Sequence, residues 1–256
     1  MLIVIDWDDT ITARDTIELL STPQCHGPPF GHYTDAYMRE YEEYKKAVKP
    51  PSNFGELYAF LSGLAPVEKR SLDRIADGGL FRGITADELG RRAAGIRFRE
   101  MWPEAHRWMC QRRNCDVYIL SVNWSSVFIE RALGESCIRI IANDIESSSG
   151  RIVGPGGDAD NRVCTAADKL ARFEQLKRGD TSVYIGDSTT DLMCLLSADV
   201  GILMGERAVE RIRGVGVTLV SVGEWLRGRR GELVVAADWG EVVQVLGCID
   251  GDDATQ

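Results

Sequence analysis

Six short apolar runs, each followed by a loop and usually by a helix-like stretch, constrain the fold of this chain most strongly. The runs show little of the polar alternation of a half-exposed strand, so we interpret them as strands buried on both faces. Strands that alternate with helices indicate an α/β fold with a Rossmann-like parallel sheet. The predicted strands are residues 2–5, 117–120, 138–142, 183–185, 200–204 and 217–220, and the predicted helices beside them are residues 125–133, 166–176, 189–197 and 206–213.

A long stretch of different character separates the first predicted strand from the second. Its helix-like patterns are interrupted by Pro and Gly pairs, which mark turns. We therefore predict a helical cap domain of residues 13–112, inserted after the first strand into an α/β core of residues 1–12 and 113–256. The predicted cap helices are residues 16–20, 35–48, 53–63, 66–76, 85–95 and 98–112, and the Ser- and Gly-rich residues 147–160 predict a hairpin or loop.

Two carboxylates, Asp6 and Asp8, come directly after the first predicted strand. Like charges this close are costly to hold together, and a divalent cation such as Mg²⁺ relieves their repulsion. One carboxylate can then attack phosphorus as a nucleophile, while the other protonates the leaving oxygen and later activates water. Taken alone, the pair fits an acidic turn at a strand end equally well.

A second acidic loop follows the predicted strand 183–185 and contains Asp187 and Asp191. A metal ion shared by Asp187, Asp6 and Asp8 explains these three acids better than separate turns do. Asp191 opens a predicted helix, so it is equally compatible with a metal-site residue and with an N-terminal helix cap.

Two further segments have the chemistry to bind an anion. Ser121 ends the second predicted strand with a hydroxyl, and the backbone amides of Val122 and Asn123 could face a phosphate oxygen. Lys169, on a predicted helix after a Gly-rich loop, could neutralise the phosphate or the acids around Asp6. A single Ser or Lys says little on its own, because most lysines are solvated surface groups.

The order of these residues resembles the haloacid dehalogenase superfamily, mainly its phosphatases. That family has Asp-x-Asp-x-Thr after strand one, a Ser or Thr at the end of strand two, then a Lys, and then Gly-Asp-x-x-x-Asp. The residues that match this pattern are Asp6, Asp8, Thr10, Ser121, Lys169, Gly186, Asp187 and Asp191.

This resemblance implies a role for each matching residue. Asp6 would be the nucleophile and Asp8 the acid and base. Asp6, the backbone carbonyl of Asp8 and Asp187 would hold Mg²⁺, with Asp191 in support. The phosphate-binding residues would be Thr10, Ser121, Val122, Asn123 and Lys169.

A finer similarity is to the phosphoserine phosphatase branch. Residues 141–143 and 150–154 look like its Ala-Asn…Gly…Gly hairpin, and the helical insertion fits its cap. Asp15 falls where those enzymes carry a Glu near the substrate's amino group, and the adjacent Arg14 is a second specificity candidate or a surface ion pair. The segments 121–123 and 186–191 depart from that branch, so only the reaction is carried over and not the substrate.

Four tyrosines recur at helical spacing within the predicted cap and indicate an aromatic stripe on one helix. Such a stripe can line a pocket and stack on a ring-bearing leaving group. More often it packs the cap itself or a dimer face. The residues are Tyr33, Tyr37, Tyr41 and Tyr44.

Charge and cysteine usage narrow the expected partners and location. The formal net charge is -9, so a nucleic-acid backbone would be repelled on average. Seven scattered cysteines without a Cys-x-x-Cys pair predict reduced thiols in a cytoplasmic protein. No apolar run approaches the roughly 18 residues of a transmembrane helix, so we expect no membrane span.

These patterns predict an Mg²⁺-dependent phosphatase that hydrolyses a small phosphorylated metabolite through an aspartyl-phosphate. Two alternatives remain open. One is a phosphotransferase or mutase that passes the phosphoryl group to a second hydroxyl, and the other is a binding or regulatory protein that keeps the fold without turnover. The phosphomonoester itself and the oligomeric state are not predicted.

Overall fold

A central parallel sheet organises the computed structural model, which describes residues 1–21 and 27–251. Its strands are β1 (Leu2–Ile5), β2 (Asp116–Leu120), β3 (Arg139–Ile141), β6 (Ser182–Gly186), β7 (Val200–Met204), β8 (Leu219–Ser221) and β9 (Leu233–Ala236), while β4 (Asp144–Ile145) and β5 (Ile152–Val153) form a separate antiparallel hairpin. The strands of the large sheet pair in parallel, in the order β3-β2-β1-β6-β7-β9-β8. The predicted α/β fold with a parallel sheet is confirmed.

Helices occupy the long insertion between β1 and β2 and the connections between later strands. Within the described residues the α-helices are α1 (Phe30–Ala47), α2 (Phe54–Ser62), α3 (Ala65–Gly78), α4 (Ala86–Ala93), α5 (Trp102–Cys110), α6 (Ser126–Leu133), α7 (Ala166–Leu176), α8 (Leu192–Ser197), α9 (Val209–Gly214), α10 (Val222–Leu226) and α11 (Trp239–Asp250). The predicted helix at residues 16–20 is instead a short 3₁₀ turn, Ile17–Leu20. No helix among the described residues is both long enough and apolar enough to cross a membrane.

β1, an inner strand of the sheet, places its side chains alternately in two hydrophobic layers. Ile3 and Ile5 pack in the layer that contains side chains of α5 and α11. Leu2 and Val4 face the opposite layer, which contains side chains of α7 and α8. Each fully buried aliphatic side chain contributes about 1.5–3 kcal/mol to folding. This double burial fixes the end of β1, from which the first acidic loop leaves the sheet.

The last helix of the insertion is part of the main hydrophobic core. Trp102, Ala105 and Met109 of α5 lie in the same buried cluster as Ile3 and Ile5 of the sheet. α1 and α3 pack against each other, whereas α4 packs against α6. The domain boundary at residue 112 therefore stays a prediction.

One disulfide corrects the expectation of reduced thiols. Cys110, the last residue of α5, is bonded to Cys137, which precedes β3, and their Cα atoms are 5.4 Å apart. The two residues are 27 positions apart without a recognisable spacing, so only the folded chain brings them together. The described free cysteines are Cys115, Cys164, Cys194 and Cys248, and Cys25 lies outside the described residues. The cytoplasmic location stays a prediction.

Candidate active site

The carboxyl ends of three adjacent strands gather the predicted site residues at one edge of the sheet. β1 pairs with β2 on one side and with β6 on the other. Asp6, Ser121 and Asp187 follow these three strands directly, and all three side chains are buried. Parallel strands place the residues that follow them at a common edge, where α/β proteins bind ligands.

Three carboxylates and one ammonium group form a buried charge cluster at this edge. One carboxylate oxygen from each of Asp6, Asp187 and Asp191 lies within 4.8 Å of the others. Lys169 Nζ donates to Asp6 Oδ1 at 2.5 Å and to Asp191 Oδ1 at 2.7 Å. We call these four residues the acid cluster. With its carboxyl groups ionised it carries a net negative charge, which is costly in the protein interior.

The start of α7 explains the position of Lys169. Thr165 Oγ1 accepts a hydrogen bond from the Asp168 amide, and the Asp168 carboxylate accepts one from the Thr165 amide. This capping box fixes the first turn of the helix. Lys169 is the residue directly after Asp168, and only 1% of its surface is exposed. The side chain therefore pairs with buried acids instead of reaching solvent, and its predicted contact with phosphate stays a prediction.

Burial changes the protonation of the acid cluster. It raises the pKa of Asp187 to about 7, with Asp191 adding to the effect. Burial and then Asp191 raise the pKa of Asp6 well above its ordinary value, although Lys169 opposes them. The pKa of Lys169 is lowered by burial but raised more strongly by Asp191 and Asp6, so the ammonium stays charged. Mg²⁺ binds to negatively charged oxygen ligands such as these carboxylates.

We expect the metal-free protein to lose stability as the pH rises from about 4 to about 7. In this window Asp187 keeps a proton in the folded state that the unfolded state has released, so each rise in pH favours unfolding. Mg²⁺ should oppose the loss, because it binds the deprotonated carboxylates. At 100 times its Kd it would add about 2.7 kcal/mol, or roughly 5–10 °C in Tm.

Calorimetric unfolding with Mg²⁺ or with chelator, at about pH 5 and about pH 7.5, measures this linkage. The Tm gain from Mg²⁺ should be larger at the higher pH. A gain of equal size at both pH values would contradict the assignment.

Asp8 is held by a separate set of donors. Its Oδ1 accepts hydrogen bonds from the Thr16 amide at 2.7 Å and the Thr16 hydroxyl at 2.5 Å. Its Oδ2 accepts one from Asn123 Nδ2 at 2.9 Å. Burial, and then Asp15, raise the pKa of Asp8 to about 6 in spite of these donors. A carboxyl group with such a pKa can both give and take a proton near neutral pH.

The Asp8 carboxylate is not one of the three that converge within 4.8 Å. Its oriented position suits the proton transfer that the resemblance implies. Mg²⁺ binding by its backbone carbonyl stays a prediction.

The segment after β1 is a compact turn. Asp9 has φ of 58°, in the left-handed region that Asp tolerates better than most residues. The amides of the three residues that follow it all donate to the carbonyl of Trp7, at 3.0 to 3.4 Å. Thr10 Oγ1 donates to Asp187 Oδ1 at 3.4 Å and so links this turn to the loop after β6. A phosphate contact from Thr10 stays a prediction.

The loop after β2 uses its polar groups within the protein. The Asn123 amide donates to Ser121 Oγ at 3.0 Å, and the Asn123 side chain donates to Asp8. The predicted phosphate contacts of Ser121, Val122 and Asn123 stay predictions. What the structure adds is that Asn123 orients Asp8 through its side chain.

Asp191 lies at the N-cap position of α8 but makes no side-chain cap hydrogen bond to the helix. Its Oδ1 accepts from Lys169 and, at 3.0 Å, from the Tyr184 hydroxyl, while its Oδ2 accepts from the Ser188 hydroxyl at 2.9 Å. The Asp191 side chain therefore does not cap α8 and lies with the other acids, and its role at a metal site stays a prediction.

Sequence reasoning missed several residues that position these carboxylates. Thr16 and the side chain of Asn123 hold Asp8, and Tyr184 holds Asp191. A tyrosine between two aliphatic residues, Val183 and Ile185, of a buried strand was the available signal for Tyr184. Thr16 carried no comparable signal, because a Thr near a predicted helix start is usually a cap.

A cavity of about 510 Å³ opens beside the strand-end loops. Asp15, Val122 and Thr190, from the loops after β1, β2 and β6, form part of its wall, and α1 and α3 supply much of the rest. Asp15 thus lies at the cavity, whereas Arg14 lines a neighbouring one that also includes Asp15. Their predicted roles in specificity stay predictions.

The four tyrosines of α1 have two different environments: one pair lines the cavity and the other pair packs against neighbouring side chains and helices. Tyr33 and Tyr37 line the cavity. Tyr41 stacks on Tyr37 with ring centroids 6.2 Å apart, and the Tyr44 hydroxyl donates to the Phe60 carbonyl at 2.8 Å. The second half of the stripe therefore packs the helices of the insertion.

Comparison with known proteins agrees with this geometry. A model of the haloacid dehalogenase-like hydrolases matches residues 3–196, which include every residue of the acid cluster. The chain belongs to the haloacid dehalogenase-like hydrolase family. The predicted membership is confirmed, and the chain carries the acids of the family pattern in the expected order.

Among curated relatives, the chain is 28% identical over 225 residues to a CTO1 family protein of Schizosaccharomyces pombe, covering 80% of this chain and 81% of that protein. It is 27% identical over 239 residues to Cold tolerance protein 1 of Saccharomyces cerevisiae, covering 76% and 75%. It is also 25% identical to the mitochondrial Bifunctional TH2 protein of Arabidopsis thaliana, of which the match spans 39%.

Among solved structures, the chain resembles a phospho-aspartyl intermediate analogue of phosphoserine phosphatase, with a TM-score of 0.52, 14% identity and coverage of 95% of this chain and 97% of the other. A HAD family hydrolase from Salmonella enterica serovar Typhi gives a TM-score of 0.51 at 14% identity, with coverage of 83% and 64%. At this level of identity the likeness concerns the fold.

Proposed function

We propose that this protein is an Mg²⁺-dependent phosphatase that hydrolyses a small phosphomonoester through an aspartyl-phosphate on Asp6. The observation that supports it best is the acid cluster beside an independently oriented acid. Asp6 accepts a hydrogen bond from Lys169. Asp8, two residues further along the chain, has a pKa of about 6 and is oriented by hydrogen bonds from Thr16 and Asn123. A nucleophile next to a proton donor is what the two-step reaction requires.

The charge on Asp6 is arranged for attack on phosphorus. Lys169 donates to Asp6 Oδ1 and leaves Oδ2 without a hydrogen-bond donor among the described residues. That oxygen would form the new bond to phosphorus as the bond to the leaving oxygen breaks. Lys169 meanwhile holds the carboxylate in place from inside the protein, since its own position is fixed by Asp191.

Asp8 would move the protons of both steps. In the first step its carboxyl proton passes to the leaving oxygen, and the alcohol departs. In the second step the Asp8 carboxylate takes a proton from a water molecule as that water attacks phosphorus, which releases phosphate and restores Asp6. Asp6, Asp187 and Asp191 would hold Mg²⁺. A bound Mg²⁺ ion would neutralise part of the negative charge of the substrate's phosphate.

Asp8→Asn should lower kcat for an alkyl phosphate by about 10²–10⁴-fold, because an amide cannot protonate the alkoxide or activate water. Formation of the aspartyl-phosphate from 4-nitrophenyl phosphate should suffer far less, since this leaving group departs without a proton. Burst and steady-state kinetics separate the two steps. Equal slowing of the first step for both substrates would argue against Asp8 as the acid.

A phosphate-release assay over a panel of metabolite and aryl phosphates, with Mg²⁺ and with chelator, tests the proposed function. We expect Mg²⁺-dependent release from at least one of them. Release that becomes transfer when a second alcohol is added would identify a phosphotransferase. No release from any compound would favour a binding protein that has kept the fold.

The proposed partner is a small phosphorylated metabolite in the cytoplasm. The net charge of -9 supports a small ligand over a nucleic acid. The Cys110–Cys137 disulfide gives a direct check on the location, because structural disulfides are uncommon in the cytosol. Thiol trapping in intact cells would show whether this pair is oxidised there.

A further inference from the structure

The cavity beside the acid cluster has an unusual lining. Its described residues include the carboxylates Asp15, Glu18 and Glu68 but no Lys, Arg or His. We propose that the leaving group of the substrate carries both a flat ring and a positive charge. This inference rests on the proposed phosphatase function and names the class of phosphomonoester that the site would take.

The position of the cavity suits a leaving group. Val122 follows the strand-end Ser121, and Thr190 precedes Asp191 of the acid cluster, and both line the cavity. A phosphate held at the acid cluster would therefore direct its ester substituent toward this space. A volume of about 510 Å³ is within the usual range for small-molecule sites.

Glu68 is the carboxylate that argues most directly for a cation. It is half-buried on α3, and its Oε1 accepts a hydrogen bond from the Tyr37 hydroxyl at 2.8 Å. Burial raises its pKa, which the Tyr37 hydrogen bond partly offsets. Within the described residues no basic group pairs with it. A half-buried carboxylate without a counter-ion attracts a ligand that brings one.

Other acids of the same helix pair have counter-ions within the protein. Glu40 of α1 pairs with Arg70 and Arg74, and Asp73 of α3 pairs with Lys69 and Arg162. The absence of such a partner at Glu68 is thus not a general feature of α1 and α3. Asp35, Glu43 and Asp77 also have no ion pair among the described residues, but they are exposed to solvent, whereas Glu68 is half-buried.

Aromatic side chains supply surfaces for a ring. Phe30, Tyr33, Tyr37 and Trp124 line the cavity together. The Phe30 and Trp124 rings are inclined at 58° with centroids 6.1 Å apart. Aromatic faces stack on flat rings and attract cations, and both effects strengthen where water is excluded.

The same lining disfavours leaving groups that carry a carboxylate. The serine released from phosphoserine has an amino group that would suit Glu68, but its carboxylate would face other carboxylates. Arg14 and Arg92 line the neighbouring cavity instead. Arg92 donates to the Leu20 carbonyl. We therefore expect phosphoserine to be a poor substrate.

Matched synthetic esters test ring and charge separately. The probes are 4-(aminomethyl)benzyl phosphate, benzyl phosphate, 4-carboxybenzyl phosphate and phosphocholine, with phosphoserine as reference. We expect kcat/KM with Mg²⁺ to be highest for the cationic benzyl ester, by about tenfold or more over benzyl phosphate and over phosphocholine. Faster turnover of the carboxylate-bearing probes or of phosphoserine would overturn the inference.

Two variants with the same change of charge on α3 locate the effect. Glu68→Gln should remove most of the preference for the cationic ester over benzyl phosphate. Asp77→Asn, at an exposed position of α3 outside the cavity lining, should preserve the preference. An equal preference in Glu68→Gln and in the unmodified protein would overturn the role of Glu68.

Binding of the product alcohols separates this inference from the proposed reaction. Calorimetry with 4-(aminomethyl)benzyl alcohol and benzyl alcohol should show tighter binding of the cationic alcohol, and Glu68→Gln should abolish the difference. If this preference is found but no probe releases phosphate, the phosphatase proposal fails and the cavity assignment stands. If phosphate is released without a preference for charge or ring, the cavity assignment fails and the phosphatase proposal stands.

Discussion

Asp6→Asn should abolish phosphate release, with a fall in kcat of at least about 10⁴-fold, while the protein remains folded. An amide oxygen cannot form the aspartyl-phosphate, so both steps of the proposed reaction stop. The substitution keeps the size of the side chain and an acceptor for Lys169, which donates to Asp6 Oδ1 at 2.5 Å. It also removes one buried negative charge, so the metal-free variant should be at least as stable as the unmodified protein.

The measurement combines phosphate release, trapping of a phosphorylated protein and thermal unfolding. Asp180→Asn is a suitable control, because it makes the same chemical change at an exposed position away from the site. The control should retain full activity. Retention of activity by Asp6→Asn would remove Asp6 from the role of nucleophile.

Lys169→Met should lower the free energy of unfolding by about 3–5 kcal/mol. Lys169 is the basic member of the acid cluster, and its Nζ contacts both Asp6 and Asp191. Without it, three carboxylates that converge within 4.8 Å lose their internal counter-charge. Because Mg²⁺ or a low pH would neutralise the acids in another way, either should recover part of the lost stability.

Lys45→Met provides the matched control. Lys45 lies on α1, where it is exposed and pairs with Glu42 at 3.3 Å on the surface. Exposed pairs contribute about 0–1 kcal/mol, so chemical denaturation should show a small loss that Mg²⁺ does not reverse. Equal losses in the two variants would contradict the importance of the buried cluster.

The sheet was largely predictable because its strands are short, apolar and buried on both sides. All six predicted strands overlap observed ones, and β1 and β7 have the predicted bounds. β9, α10 and α11 were missed. β9 follows β8 along the chain, yet it lies between β7 and β8 in the sheet. Its apolar run is only four residues long, which does not by itself distinguish a strand from part of a buried helix.

The acids of the site were predictable for a different reason. Asp6 and Asp187 each directly follow a buried strand, and the carboxyl ends of parallel strands lie at one edge of the sheet, so both could be placed at that edge. The direct pairing of β1 with β6, which brings the two loops together, is known from the structure. Contacts that depend on side-chain direction were not accessible in this way. The orientation of Asn123 toward Asp8 and the Cys110–Cys137 bond both arise from the packing of segments far apart in sequence.

The position of β1 between β2 and β6 has a consequence for biosynthesis. β1 pairs with β2 and β6, whose first residues follow it by about 110 and 180 positions. Ribosomes add roughly 5–20 residues per second, so an emerging β1 waits on the order of 10–40 s before both neighbours exist. Until then its apolar residues lack one or both of the strands that pair with them. The loops that carry Asp6 and Asp187 can therefore meet only after β6 has been synthesised.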